Sequence, residues 1–127
     1  KTALCAYCVA HGRALVVCGG AGGKRDATRL RHDDLALVRN DPLLAKLRAR
    51  LRKEHGFAAG VAKGKPKRLR IACVYIDEAP AAAPAVCAPG AALACAGYGS
   101  AMHMTAGLGM LAVGLALERL SHRGLGS

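Results

Sequence analysis

Hydrophobic and polar residues at the start of the chain form a pattern that predicts a helix followed by a strand. Residues 1–11 are mostly small and apolar, and Gly12 supplies the left-handed residue that commonly ends a helix. The uninterrupted apolar run 14–18 is typical of a buried strand. A helix that leads into such a strand is the second half of a βαβ unit. We therefore expect an α/β fold whose parallel sheet includes strands encoded before Lys1.

The middle of the chain alternates between extended and helical patterns. Residues 28–32 alternate as an edge strand would. Asp41 and Pro42 form a strong helix start, because Asp accepts hydrogen bonds at the N-cap and Pro suits the first turn. The predicted helix ends at Gly56 and carries one apolar stripe, formed by Leu43, Leu44, Leu47 and Leu51.

The last third of the chain is rich in apolar residues. After a buried strand at 70–76, no Asp, Glu, Lys or Arg occurs from 79 to 117. Pro and Gly residues interrupt the first part of this run, so 79–100 is predicted to be a crossover loop and 101–120 an apolar helix. This helix is marginal for the ~20 residues that a membrane span needs. We expect it to be buried in the protein rather than in a membrane, with His103 in the core.

The chain is strongly basic, with 19 Lys and Arg residues against 8 Asp and Glu residues and a net charge of +11. Most of the excess lies in 24–70, which contains the predicted helix and a segment, 56–64, that we expect to be a flexible loop. Such a region suits an anionic partner, with nucleic acid ahead of a membrane, although an ordinary solvated surface is the alternative. The candidate phosphate contacts are Lys46, Arg48, Arg52, Lys53, Lys65, Lys67 and Arg68.

Four glycines directly follow the first predicted strand: Gly19, Gly20, Gly22 and Gly23. Glycine permits conformations and close approaches that a Cβ would prevent, so the loop either serves a ligand or makes a tight connection between two strands. It matches no nucleotide motif. A P-loop needs glycine at Cys18 and Ser or Thr at Arg25, and a dinucleotide fingerprint needs a third glycine at Arg25.

The six cysteines favour reduced thiols over a disulfide framework. The chain shows no signal peptide and is not a small loop-rich scaffold, which indicates a cytoplasmic location. Cys5 and Cys8 form a CxxC pair, but zinc would need a second pair or paired histidines. We expect both thiols to be buried on the first helix, and we predict no metal site.

Several short motifs occur in an order that resembles one enzyme family. They are Ala6-Tyr7-Cys8, the glycine loop with Asp26 and Thr28, Asp34-Leu35, Asp41-Pro42-Leu43, Cys73-Val74-Tyr75, Glu78, Cys87, Cys95, Tyr98-Gly99 and Thr105-Ala106. In this order they look like the C-terminal half of the tRNA threonylcarbamoyladenosine dehydratases. That family belongs to the ThiF and MoeB group of adenylating enzymes, which is related to ubiquitin-activating enzymes.

The resemblance implies a fold, an activity and partners. The fold would be a Rossmann-like UBA/THIF-type parallel-sheet domain, with residues 1–127 as one piece of it and the N-terminal nucleotide-binding half upstream of Lys1. The activity would be ATP-dependent closure of threonylcarbamoyladenosine in tRNA into its cyclic form through an adenylated carboxylate, with Mg²⁺ as the ion. The partners would be tRNA, contacted by the basic residues named above, a second copy in a homodimer, and a sulfur-transfer protein.

The resemblance also implies roles for single residues. Lys1 falls at the close of the family's adenylation motif, so it either touches the nucleotide or is a plain helix-start lysine. Glu78 either orients the substrate or caps a strand. Cys95 lies where related enzymes sometimes carry a thiol that forms a covalent intermediate, and otherwise packs. The glycine loop is the expected substrate loop, and without its upstream half the chain is expected to be inactive.

Two alternative functions stay open. One is adenylation of a sulfur-carrier protein by an enzyme of the same superfamily, although such enzymes usually carry a paired CxxC zinc site. The other is a basic RNA-binding module without enzymatic activity. The low aromatic content of 3% argues against that module, since aromatic side chains are what unpaired bases stack on.

Overall fold

The computed structural model describes residues 1–62, 64–81 and 100–124. Its helices are α1 (Thr2–Ala10), α2 (Pro42–His55) and α3 (Met102–Gly124), and a 3₁₀ turn covers Ala27–Arg29. Its strands are β1 (Val16–Cys18), β2 (Leu30–Asp34), β3 (Val61–Ala62), β4 (Lys65–Pro66) and β5 (Ala72–Ile76). The expected α/β class is confirmed.

A three-stranded sheet in the order β1-β5-β2 is the centre of the described structure. β1 pairs with β5 in parallel, with Val16 opposite Ala72. The parallel partners of β1 were expected in strands encoded before Lys1, whereas the structure gives β1 a parallel partner in β5 of this chain. β2 pairs with β5 in the antiparallel direction, with Leu30 opposite Ile76, so the sheet is mixed rather than purely parallel. β2 lies at one edge of this sheet, as its alternating pattern predicts.

The core is divided between the two faces of this sheet. All five residues of β5 are buried, as expected for a strand covered on both sides. On one face, Cys73 and Val17 pack with Cys5 of α1 and with three of the four leucines predicted for the stripe of α2, Leu44, Leu47 and Leu51. The fourth, Leu43, is exposed, so its prediction was wrong. On the other face, Val74 and Ile76 pack against α3 through fully buried Met104 and through Leu108.

The two amino-terminal cysteines behave as predicted. Cys5 and Cys8 are both buried on α1, and both are free thiols. Burial raises the pKa of the Cys5 thiol, which keeps it protonated and unreactive. Across the described ranges, no group of three or more His, Cys, Asp or Glu side chains is arranged to hold a metal ion.

The carboxyl-terminal helix differs from its prediction. α3 contacts the sheet along one narrow stripe, and only 17% of its apolar window is buried, so the expectation of a buried helix was wrong. Large apolar side chains face solvent along it, including Met102, Met110 and Leu117. By length and composition alone, Met102–Ser121 meets the requirements of a membrane span. His103 is exposed near the start of the helix, so its prediction as a core residue was also wrong.

Two of the predicted loops have different outcomes. The segment expected to be a flexible loop ends in a short hairpin, in which β3 pairs with β4 through Val61 opposite Pro66. Its positive-φ glycines at 60 and 64 allow the chain to turn around this pair. Most of the crossover 79–100 lies outside the described residues, and the prediction for Cys95 lies there with it.

Candidate functional site at the glycine-rich loop

The glycine loop lies where two parallel strands end. β1 ends at Cys18 and β5 at Ile76, so the segments that follow them leave the same edge of the sheet. The Gly19 N–H donates to the Val74 carbonyl over 2.9 Å and extends the ladder by one bond beyond β1. Loops at the carboxyl ends of parallel strands are where α/β proteins commonly bind ligands.

Asp41 connects this loop to the start of α2. Its Oδ1 accepts a hydrogen bond of 2.9 Å from the Leu44 N–H, which is the N-cap that the sequence predicts. Its Oδ2 accepts a bond of 2.9 Å from the Gly20 N–H and another of 3.2 Å from the Lys24 ammonium group. The residue is 4% exposed. One carboxylate therefore holds both the helix and the loop.

Lys24 is the residue that sequence reasoning missed. It marks the start of the basic region and was given no role of its own, but it is only 3% exposed. Its Nζ also donates to the Ile76 carbonyl over 2.8 Å, so the ammonium group joins the end of β5 to Asp41. Lys is almost never fully buried without a partner. Nothing in the sequence pattern distinguishes Lys24 from its exposed neighbours, because its partner is seventeen residues away.

Only some of the loop glycines are required by the geometry. A Cβ on Gly19 would overlap the Asp41 carboxylate and lie 3.2 Å from the Leu44 side chain, whereas a Cβ on Gly20 meets nothing within 4 Å. Gly23 has a φ of +70°, a conformation that favours glycine. Close approach to Asp41 and one left-handed turn therefore account for two of the four glycines.

A groove runs between the loop and α3. Its walls are Cys18, Gly19, Ala21 and Gly22 on one side and Ser100, Thr105, Leu108 and Gly109 on the other, with a volume of about 480 Å³. The walls are mainly apolar, and Ser100 and Thr105 contribute hydroxyl groups. Such a groove suits a small ligand with a few hydrogen-bonding groups. The loop glycines predicted for the substrate lie on it, except Gly20 and Gly23, which are not among its walls.

Glu78 fastens the far end of the loop. Its Oε2 accepts hydrogen bonds of 2.9 Å from the backbone N–H groups of Arg25 and Asp26. These two amides favour the ionised carboxylate and lower the pKa of Glu78. The Asp26 pKa is lowered as well, chiefly by hydrogen bonds from the Thr28 hydroxyl and amide. Glu78 thus has a clear structural role as a backbone acceptor, and its catalytic role stays a prediction.

Lys1 lies away from the groove. It is the exposed N-cap of α1, without a side-chain capping bond, and it borders a separate cavity of about 160 Å³ beside Leu43 and Lys46 of α2. Within the described part of the chain, that cavity and the groove have no lining residue in common. The structure therefore brings Lys1 together with the basic helix, and its contact with a nucleotide stays a prediction.

The predicted phosphate contacts fall into two groups. Lys46, Lys53, Lys67 and Arg68 are exposed. Arg48 and Arg52 are half-buried, and Arg48 donates to the carbonyls of Leu35 and Val38 over 2.9 and 3.0 Å. Arg48 is thus committed to the protein itself. Lys65 lies in β4, but its side chain is outside the described part of the structure.

Comparison with known proteins identifies two relatives, and both carry the same name. The chain is 40% identical over 130 residues to the tRNA threonylcarbamoyladenosine dehydratase of Escherichia coli K12. The aligned region covers 94% of this chain and 47% of the relative. It is 35% identical over 124 residues to the Haemophilus influenzae protein of that name, covering 94% of this chain and 46% of the relative. No protein-family model matches the chain.

Solved structures agree with these relatives. A structure named TcdA (CsdL) superposes with a TM-score of 0.81 at 35% identity, covering 100% of this chain and 47% of the other. The E. coli dehydratase TcdA in complex with ATP superposes with a TM-score of 0.76 at 36% identity, covering 98% of this chain and 44% of the other. The same enzyme has also been solved with AMP, with a TM-score of 0.76. By sequence and by fold, nearly the whole of this chain is therefore similar to the tRNA threonylcarbamoyladenosine dehydratases, and it spans about half the length of the relatives it matches.

Proposed function

We propose that this chain is the C-terminal half of an ATP-dependent enzyme that converts N6-threonylcarbamoyladenosine in tRNA into its cyclic form. The observation that carries the proposal is the 40% identity over 94% of the chain to an enzyme named for this reaction. The glycine loop, held by Asp41 and Lys24, supports it as a built site at the end of two parallel strands.

The proposed reaction removes one water from the substrate. A threonyl carboxylate oxygen attacks the α-phosphorus of ATP, and pyrophosphate leaves. The oxygen or a nitrogen of the carbamoyl group then attacks the activated carbonyl carbon, a carbamoyl N–H gives its proton to a base, and AMP leaves as the ring closes. ATP therefore ends as AMP and pyrophosphate, and no redox partner is needed. Binding of ATP is supported by the complexes of the E. coli enzyme with AMP and ATP.

The described residues fit only a small part of a nucleotide site. The glycine loop lacks the spacing of phosphate-binding motifs, and no acidic cluster for Mg²⁺ occurs among the residues placed in the structure. We therefore assign most of the ATP and Mg²⁺ binding to the remaining half of the enzyme. Lys1 is the candidate contact to the nucleotide from this chain.

The groove between the loop and α3 is the proposed place of the threonylcarbamoyl group. The Thr105 and Ser100 hydroxyls supply hydrogen bonds to a polar substrate, while Leu108 and the glycines exclude water. Glu78 keeps the loop in this shape by holding its backbone. Because its pKa is lowered, Glu78 is an ionised acceptor near neutral pH rather than a proton donor.

The test uses the full-length enzyme with tRNA that carries threonylcarbamoyladenosine, ATP and Mg²⁺. Mass spectrometry of the digested nucleosides should find the loss of one water, and AMP should form in equal amount. Thr105→Val removes a groove hydroxyl at nearly constant volume. We expect it to reduce kcat/KM by up to about tenfold, as the loss of one hydrogen bond would. Ser121→Ala removes a hydroxyl on the same helix, bonded to the Glu118 carbonyl, and should leave kcat/KM unchanged.

Two results would contradict the proposed function, and each would favour a different one. ATP consumption that depends on a small protein with a Gly-Gly terminus, and not on tRNA, would favour the sulfur-carrier adenylyltransferase. Binding of tRNA without AMP formation would favour a basic RNA-binding module. The homodimer, the sulfur-transfer partner and the cytoplasmic location stay predictions.

A further inference from the structure

A further cavity lies at the opposite end of the sheet from the glycine loop. β2 ends where β5 begins, since Asp34 is paired with Ala72, whereas the glycine loop follows the other ends of β1 and β5. The cavity has a volume of about 560 Å³, within the range of roughly 300–1,000 Å³ that ligand sites occupy. None of its described lining residues also lines the groove. Nothing in the proposed reaction uses it.

Three arginines line this cavity. Arg68 and Arg70 come from the segment between β4 and β5, and Arg119 comes from the last third of α3. All three are exposed, and His32 adds a further nitrogen-bearing side chain. Only Arg68 stands among the phosphate contacts that the sequence predicts. The fold, rather than the sequence, brings it together with the other two.

The Asp34 carboxylate fixes the backbone of the segment that carries Arg68 and Arg70. The Asp34 carboxylate accepts 2.8 Å bonds from the Leu69 and Arg70 N–H groups, one on each oxygen. Arg70 has a φ of +61°, a left-handed conformation that costs a residue other than glycine of order 1–3 kcal/mol. Such strain persists only where the surroundings enforce it, and it is common at functional sites.

The arginine charges are not neutralised within the described structure. None of the three guanidinium groups has a hydrogen bond or an ion pair to another described residue, since the ion pairs found there are those of Lys24 and Arg29. The cavity also contains two carboxylates. Asp34 is occupied by backbone N–H groups, including that of Ala36, and Asp33 accepts a bond from the Asp34 N–H. The guanidinium groups are therefore available to an external anion.

We propose that this cavity binds phosphates of the RNA backbone. Guanidinium groups bind phosphate oxygens through paired hydrogen bonds, and three of them around one concave surface can contact neighbouring phosphodiesters. The described residues that line the cavity include no Phe, Tyr or Trp, the large aromatic side chains on which unpaired bases commonly stack. It therefore positions RNA without reading its sequence. An anionic membrane is less suitable, because basic membrane-binding residues flank a flat apolar face and do not line a cavity. The inference rests on the proposed tRNA substrate.

The test compares two triple variants of the full-length protein. Arg68→Gln/Arg70→Gln/Arg119→Gln removes the cavity charges. Arg13→Gln/Arg31→Gln/Arg39→Gln removes three exposed arginines that line neither this cavity nor the one beside Lys46, and it is the matched control. Affinity for unmodified tRNA is measured over a range of salt concentrations. Each phosphate contact contributes about 0.7–0.9 to the slope of log affinity against log salt, so the cavity variant should lose about 2–3 from this slope. The control should keep the slope of the parent protein.

A third triple variant separates charge from geometry. Arg68→Lys/Arg70→Lys/Arg119→Lys keeps three positive charges but loses the paired donors, so affinity should fall while the salt slope changes little. Circular dichroism confirms that the variants are folded. Equal slope losses in the cavity and control variants would overturn the inference, and so would cavity-dependent binding to phosphatidylserine vesicles without any effect on tRNA. The dehydratase assay is scored separately with saturating tRNA, so an inactive enzyme that still binds tRNA through the cavity would contradict only the proposed function.

Discussion

Replacing Lys24 by Met removes one partner of a buried ion pair. The side chains of Lys24 and Asp41 are 1% and 0% exposed, and the ammonium group makes two hydrogen bonds, of 3.2 Å to Asp41 and 2.8 Å to the Ile76 carbonyl. After the substitution, the Asp41 carboxylate stays buried without a counter-ion. Removing one member of a buried pair typically costs about 3–5 kcal/mol, from a total stability of about 5–15 kcal/mol.

Urea unfolding of the full-length protein measures this cost. With an m-value of about 2 kcal/mol/M, the midpoint of the transition that includes this part should fall by roughly 2 M. Lys53→Met is the matched control, because Lys53 is exposed on α2 and its loss should change stability by less than about 0.5 kcal/mol. The double variant Lys24→Met/Asp41→Asn keeps an N-cap on α2 and no longer buries a lone charge, so it should be more stable than Lys24→Met alone. If Lys24→Met lowers the free energy of unfolding no more than Lys53→Met does, the contacts of Lys24 with Asp41 and Ile76 do not stabilise the protein.

Three further predictions concern single residues. Gly19→Ala should destabilise the protein by about 1–3 kcal/mol in urea unfolding, because the new methyl group meets the Asp41 carboxylate, whereas Gly20→Ala should be neutral. The pKa of Glu78 is lowered in the folded protein, so its stabilisation is present above its ordinary value of 4.5 and is lost as the pH falls through the lower folded value. Urea midpoints of Glu78→Gln should therefore decline less in acid than those of the parent, and an unchanged decline would contradict this. Burial raises the pKa of Cys73 to about 12, so peptide mapping after iodoacetamide treatment at neutral pH should find this thiol unlabelled until the protein unfolds.

Short-range sequence patterns were sufficient to predict most of the helices and strands. The helix α2 was predicted with its cap and its end, because Asp41, Pro42 and Gly56 act on the backbone within a few residues. The strands β1 and β5 were predicted from apolar runs, but their pairing with each other was not, because an apolar run does not specify which strand lies beside it. The resemblance to the dehydratases was confirmed over 94% of the chain.

The wrong predictions share a physical cause, which is that composition does not determine what covers a surface. An apolar helix has the same sequence pattern whether its faces are buried or exposed to solvent. The sequence therefore did not predict the exposure of α3 or of His103. The candidate site was predicted only as a glycine loop. Its contacts to Lys24 and Asp41 join residues far apart in sequence, which no local pattern records.

The buried contacts of Asp41 with Lys24 and with the glycine loop restrict how this sequence can diverge. Gly19, Lys24 and Asp41 meet at one carboxylate, so a replacement tolerated at one position depends on what occupies the other two. A lineage that loses Lys24 alone passes through a protein with an isolated buried charge, and a lineage that gains a side chain at Gly19 must first shorten or move the acid. Successful descendants should therefore have changed these three positions together or not at all, in the manner of a compensated substitution.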